Sequence, residues 1–247
     1  IRFYREMKDQ EIGYHCFRHR IFKDYRKNRD NMLQGLSVLQ KEGIQPKGFA
    51  APYGEWSAVL GKLLQDLRFE YSSEFQLAYD THPFYPYFKK SFSDVLQIPI
   101  FPVSIGNLRR ARHTPGDMVN FYRGIIKQKL VLEDPVLIYH HPGHQHFDII
   151  QAIFKEINQS GVPSIKMYDF CGWWKQRNQT DWAPEYHGDK FYLNARNIEK
   201  SVFIKAVSPD RKWTVFPFED IVARKQLVWN SQNKSLPVLS ARSRERQ

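Results

Sequence analysis

Two histidines four residues apart, His15 and His19, stand in the stretch EIGYHCFRHRIF at 11–22. On a helix, side chains at i and i+4 lie one above the other, so two imidazoles at this spacing can share one metal ion at ~2.0–2.1 Å. The intervening Cys16, Phe17 and Arg18 include no glutamate, which excludes the zinc-peptidase helix in which a glutamate acts as base. With 9 histidines in 247 residues, about 0.3 such pairs arise by chance, so the pair becomes a motif only in company. The alternative is two half-buried imidazoles bonded to backbone.

Further histidines fall in YHHPGHQH at 139–146. They follow PVLIY, a continuous apolar run of the kind found in strands buried on both faces. Adjacent side chains on a strand face opposite ways, so only one of His140 and His141 can enter a given pocket. A histidine at a strand end is suited to act as a general acid. A third marked segment is APYG at 51–54, a turn following the Phe49 strand. In parallel α/β folds such segments, at the C-terminal ends of strands, are where function collects.

The elements that would position these groups alternate. Residues 29–42 predict a helix with Met32, Leu33, Leu36 and Leu39 on one face and Gly43 as its left-handed terminator. Helices are also expected over 55–67, 116–130 and 146–160, the last closed by Gly161. Strands are expected at 46–54, at 96–104 with its prolines at an edge or mouth, and at 135–143. IKMYDF and CGWWKQR read as a last strand and helix. This alternation predicts an α/β domain with parallel strands, a barrel or an open sheet. From about 180 the texture changes to short β-type runs joined by turns, predicting a small antiparallel appendage over 181–230 and a polar tail over 231–247.

Composition sets broad limits. The net charge of +11 points to an acidic partner or to a solvated basic surface. The basic clusters at Arg18–Lys27, Arg109–Arg112 and Arg242–Arg246 are scattered, and no nucleic-acid recognition motif accompanies them, so no specific nucleic-acid partner is expected. No apolar stretch approaches the ~20 residues of a transmembrane helix. Two cysteines, Cys16 and Cys171, are too few for a disulfide framework and assign no compartment.

Three segments in order carry a resemblance. EIGYHCFRH resembles the second motif of the polysaccharide deacetylases (carbohydrate esterase family 4). GFAAPYG with Trp56 is similar to their third, and PVLIYHHPG to the strand bearing their last histidine. YSSEF at 71–75 stands where their variable fourth motif falls. The resemblance implies a distorted (β/α) barrel over 1–180, incomplete at its N-terminus. It implies a hydrolase that removes N-acetyl groups from an amino-sugar polysaccharide or cleaves a related C–N amide. It further implies His15 and His19 as ligands of a divalent metal, usually zinc, and His141 or His140 as the acid that protonates the leaving amine. Tyr53 would help hold the oxyanion through its backbone N–H, with Pro52 and Trp56 beside the substrate.

Two departures stand out. The adjacent aspartates of the first motif, which supply a third ligand and the base, are absent, and they would precede Ile1. Ala50 replaces the arginine of the third motif. The alternative expectation is therefore a catalytically impaired barrel serving as a glycan-binding or structural module.

Overall fold

A computed structural model describes residues 9–132, 134–141, 143, 146–187, 190–196, 203–217 and 223–226. The polar stretch 231–247, with its basic cluster, lies outside them. The chain divides into two compact units at Gly172/Trp173.

In chain order the elements beginning in the first unit are α1 (Tyr25–Lys41), β1 (Gly48–Phe49), α2 (Ala58–Asp66), β2 (Tyr71–Ser72), β3 (Tyr87–Phe88), β4 (Ser91–Phe92), β5 (Leu96–Gln97), α3 (Ile105–Arg110), α4 (Pro115–Leu132), α5 (Phe147–Gln159) and α6 (Met167–Gln179). The central sheet has the order β1-β2-β5, all parallel. Tyr14 extends it through a parallel bridge to Phe49, and Phe84 adds an antiparallel bridge to Gln97. This is the parallel α/β arrangement that the alternating pattern predicts. Among the described residues the sheet does not close into a barrel.

Local sequence explains where the elements begin and end. α1 starts one turn before the expected 29 because the Asp24 side chain accepts the Lys27 N–H at 2.8 Å. Gly43 follows it at φ 73°, as expected of a left-handed terminator. α1 and α2 bury Met32, Leu60, Leu63 and Leu64 against Tyr14, Phe49 and Phe69 to form one core cluster. A second cluster joins Ile105, Met118, Tyr122 and Ile126 to Ile149 and Ile153, packing α3, α4 and α5 together.

Three expected elements differ. The strand over 96–104 shrinks to β5: Pro99 and Pro102 remove ladder donors, and Ser104 with Asn107 forms a capping box that begins α3. Arg109 and Arg110 therefore lie in the last turn of a helix. The expected strand IKMYDF is instead the start of α6, whose Tyr168 N–H is accepted by Glu11 Oε2 at 2.7 Å. Residues 135–141 form no regular strand; 135–140 are half-buried and His141 is exposed, and the segment is tied to its neighbour through Phe101 N–H to Leu137 O at 2.8 Å. They are not buried on both faces because one side borders an open cavity of about 820 Å³.

The second unit is antiparallel. β6 (Asp181–His187), β7 (Lys190–Arg196), β8 (Phe203–Val207), β9 (Trp213–Pro217) and β10 (Ala223–Gln226) form a sheet of order β10-β7-β6 and a separate β8-β9 hairpin. β7 buries Leu193 and Ala195 on one face, as a period-two strand should.

Candidate metal and substrate site

The segment carrying His15 and His19 leaves the sheet at Tyr14, whose N–H bonds Gly48 O at 2.9 Å. It is not a helix. Cys16 takes a left-handed φ of 67°, and residues 17–19 bend. Two buried asparagines on α1 replace the missing helical ladder. Asn31 Oδ1 accepts the Arg18 N–H at 2.7 Å, and its amide donates to Arg18 O at 3.2 Å and Arg20 O at 3.1 Å. Asn28 Oδ1 accepts the Phe22 N–H at 2.6 Å. Buried backbone groups must find partners, and here side chains supply them, which fixes the loop. The loop in turn folds His15 toward His19.

The two Nε2 atoms lie 3.0 Å apart, with ring centroids at 4.9 Å. His15 Nδ1 lies 2.6 Å from Ala50 O. A carbonyl can only accept, so Nδ1 carries the proton and Nε2 presents its lone pair toward His19. A carbonyl behind a ligand imidazole is the usual device for fixing its tautomer and aim. Two ligands at ~2.05 Å from one ion stand roughly 3.3 Å apart in tetrahedral geometry, close to the spacing found. Burial, and secondarily the neighbouring His19, holds the His15 pKa below its ordinary value against the opposing Ala50 bond. Among the described residues no group of three His, Cys, Asp or Glu is arranged to hold a metal.

Tyr53 joins the pair. It sits in the middle of a tight turn over Pro52–Gly54 at φ 59°, and its ring meets His19 edge-on at 4.9 Å. Its side chain is 70% exposed, whereas Pro52 is buried beneath the turn. An open cleft of about 890 Å³ runs past His19, Tyr53, Trp56, Phe22, Arg20 and Lys27. The Trp56 ring is held edge-to-face on Phe88 at 5.7 Å, and the Trp56 backbone N–H donates to Gln76 Oε1 at 2.7 Å. The arrangement brings two imidazoles together, and one of them, His19, shares the wall of a groove with the Tyr53 and Trp56 rings.

His140 and His141 have different surroundings. His140 lines the 820 Å³ cavity together with Glu11, Gly13 and Tyr139, whereas neither histidine is among the residues lining the cleft beside His19. His141 is exposed and meets the Tyr139 ring edge-on at 5.6 Å. Tyr139 stacks on Phe75 at 5.8 Å, and a Cβ placed on Gly54 would fall 2.4 Å from the Phe75 ring. A chain of contacts thus runs from His141 to the turn that holds Tyr53.

Four further residues belong to this site. Glu74 is fully buried; its Oε1 accepts the Ala51 N–H at 3.1 Å and its Oε2 the Gln97 amide at 2.9 Å. Burial pushes its pKa up to about 7 despite these bonds. Burial, aided by the nearby Glu74 charge, pushes the Cys16 thiol up to about 12, so it is no thiolate nucleophile at neutral pH. Asn28 and Asn31 left a signal in the sequence: they stand at 28 and 31 in the buried stripe completed by Met32 and Gly35, where apolar residues belong. Glu74 left a fainter one, a carboxylate inside the strand-like YSSEF.

No protein-family profile matches the chain, and no curated protein matches it. Among solved structures, the crystal structure of a proposed polysaccharide deacetylase from Mycobacterium smegmatis superposes with a TM-score of 0.53 at 18% identity. The match covers 68% of this chain, which spans about 64% of the length of that one. At this identity the likeness is one of fold, and the mixed α/β architecture is what the two share.

Proposed function

We propose that this chain forms part of a metal-dependent hydrolase that removes N-acetyl groups from an amino-sugar polysaccharide or cleaves a related amide. The observation that carries this reading is the convergence of His15 and His19, with the His15 tautomer fixed by Ala50 O. The donor set of two neutral imidazole nitrogens fits a zinc ion, and a metal held there would polarise the acetyl oxygen and acidify an attacking water.

The chain's own residues would do the rest. The Tyr53 turn lies against His19 and would present its backbone N–H to the developing oxyanion. Trp56 and the Tyr53 ring would hold the sugar in the cleft. His141 is favoured over His140 as proton donor to the leaving amine, because the Tyr139–Phe75 contacts carry it toward the Tyr53 turn. A third ligand would have to come from outside the described residues.

A second reading has specific support. Ala50 carries no side chain able to orient a catalytic carboxylate, and the described residues hold no three-ligand group. That favours a module that binds glycans without turning them over. One experiment separates the two. The protein and its His15→Ala variant are assayed for bound zinc and for acetate release from N-acetylated oligosaccharides. The hydrolase reading expects about one zinc per chain, lost in the variant together with turnover. Equal zinc content in both would sink it, and retained glycan binding without acetate release would establish the module.

A further inference from the structure

The bonds of His15 and Glu74 meet on a single peptide group. His15 Nδ1–H donates to the carbonyl of Ala50 at 2.6 Å, and the N–H of Ala51, the other half of that same planar amide, donates to Glu74 Oε1 at 3.1 Å. We infer that Glu74 is a positioning residue for His15, acting through the Ala50–Ala51 peptide.

Three features support this. First, the carboxyl cannot turn freely. Its other oxygen accepts from Gln97 Nε2 at 2.9 Å, and Gln97 Oε1 accepts from Ser72 Oγ at 3.1 Å, so the orientation is set from the sheet floor. Second, the Glu74 end of the relay is dry. Glu74 and Gln97 are fully buried and Ala51 is 4% exposed, so the Ala51 N–H has no water to fall back on. A peptide is planar, so fixing the direction of its N–H fixes its C=O as well. Third, the peptide has a reason to need holding. It lies immediately before the Pro52–Gly54 turn, and Pro52 offers no N–H to anchor it. An acceptor for Ala51 comes instead from 23 residues away in sequence. In a chain of hydrogen bonds each member polarises the next, so an anchored Ala50 carbonyl is also a better acceptor for Nδ1–H. The result is a His15 imidazole with its Nε2 lone pair aimed at the point His19 also faces.

The proposal rests on the reading of His15 as a ligand only for its consequence, and it is tested without metal. Side-chain 15N NMR of the metal-free chain reports the His15 tautomer directly. The wild type is expected to show Nδ1 protonated and Nε2 bare. Glu74→Gln keeps an oxygen acceptor for Ala51 N–H and should leave the tautomer ratio within about threefold, whereas Glu74→Leu removes the acceptor and should lower the Nδ1–H fraction relative to Nε2–H by roughly tenfold. The Nε2–H tautomer in the wild type overturns the proposal without any variant, which covers the case of a Leu variant that does not fold. A folded Glu74→Leu with an unchanged ratio also overturns it, as does a Gln variant as impaired as the Leu one. A merely structural Glu74 would lower stability but leave the ratio of the folded protein unmoved. The outcome is independent of zinc retention, so failure here and failure of the hydrolase reading are separate results.

Discussion

His15 Nε2 and His19 Nε2 lie 3.0 Å apart across a bent loop pinned by Asn31, not along a helix. Partial desolvation of the His15 ring, and secondarily the His19 ring beside it, lowers the His15 pKa against the opposing Ala50 bond, although the residue keeps contact with solvent. The neutral form is therefore favoured by folding. The stability it contributes is present above the unfolded value near 6.5 and is lost as pH falls through the depressed folded value. In the metal-free chain the His15 ring protons should titrate with a midpoint below 6.5, read by NMR. A midpoint above it would contradict the packing found here.

Glu74 has the opposite sign. Its folded pKa of about 7 lies above the ordinary 4.5, so its contribution is complete below about 4.5 and declines as pH rises through about 7. At pH 8 the ionised, buried carboxylate costs about 3 kcal/mol relative to pH 4, an order-of-magnitude figure from 1.36 kcal/mol per pKa unit. Glu74→Gln removes the ionisation and keeps the acceptor for Ala51. Denaturant melts should show the variant gaining on the wild type as pH rises from 5 to 8. Parallel pH profiles would mean that Glu74 does not ionise in that range.

Gly35 sits in the middle of α1 because Tyr14 packs on it. A Cβ there would fall 2.2 Å from the Tyr14 hydroxyl and 2.8 Å from its ring. Tyr14 cannot yield, since its hydroxyl donates to Met32 O at 3.0 Å and its ring lies among Phe49 and Phe69. Gly35→Ala gains about 1 kcal/mol of helix propensity but forces a shift in a closed core. The expected net loss is about 1–3 kcal/mol in a denaturant melt. Because Tyr14 directly precedes His15, the variant should also disturb the His15 ring signals. An unchanged melt with unchanged signals would disprove the contact.

Tyr53 holds a left-handed φ of 59° that a tyrosine adopts only at a cost. Tyr53→Gly removes that cost, worth about 1 kcal/mol, and loses little packing because the side chain is 70% exposed. The melting midpoint should stay level or rise. On the proposed function, binding of an N-acetylated oligosaccharide, measured by calorimetry, should weaken several-fold, because the cleft loses the ring beside His19. A variant both less stable and unimpaired in binding would remove Tyr53 from the site.

The sequence by itself determined what local physics decides. The apolar stripes that end in Gly43 and Gly161 give α1 and α5, alternation with short apolar runs gives a parallel sheet, and the change of texture near 180 gives the antiparallel strands. It also brought forward His15, His19 and the Tyr53 turn, because those residue types occur in a telling order. Only the tertiary structure decided the matters that depend on distant partners. The loop shape at 16–19 comes from Asn28 and Asn31, the start of α6 from Glu11, and the different surroundings of His140 and His141 from the cavity beside the first and the solvent around the second. The Ala50 carbonyl is held from Glu74 on a neighbouring strand end. A spacing of four residues brings side chains together on a helix by geometry alone; on a loop it does so only when buried groups elsewhere satisfy the backbone, and sequence spacing carries no record of them.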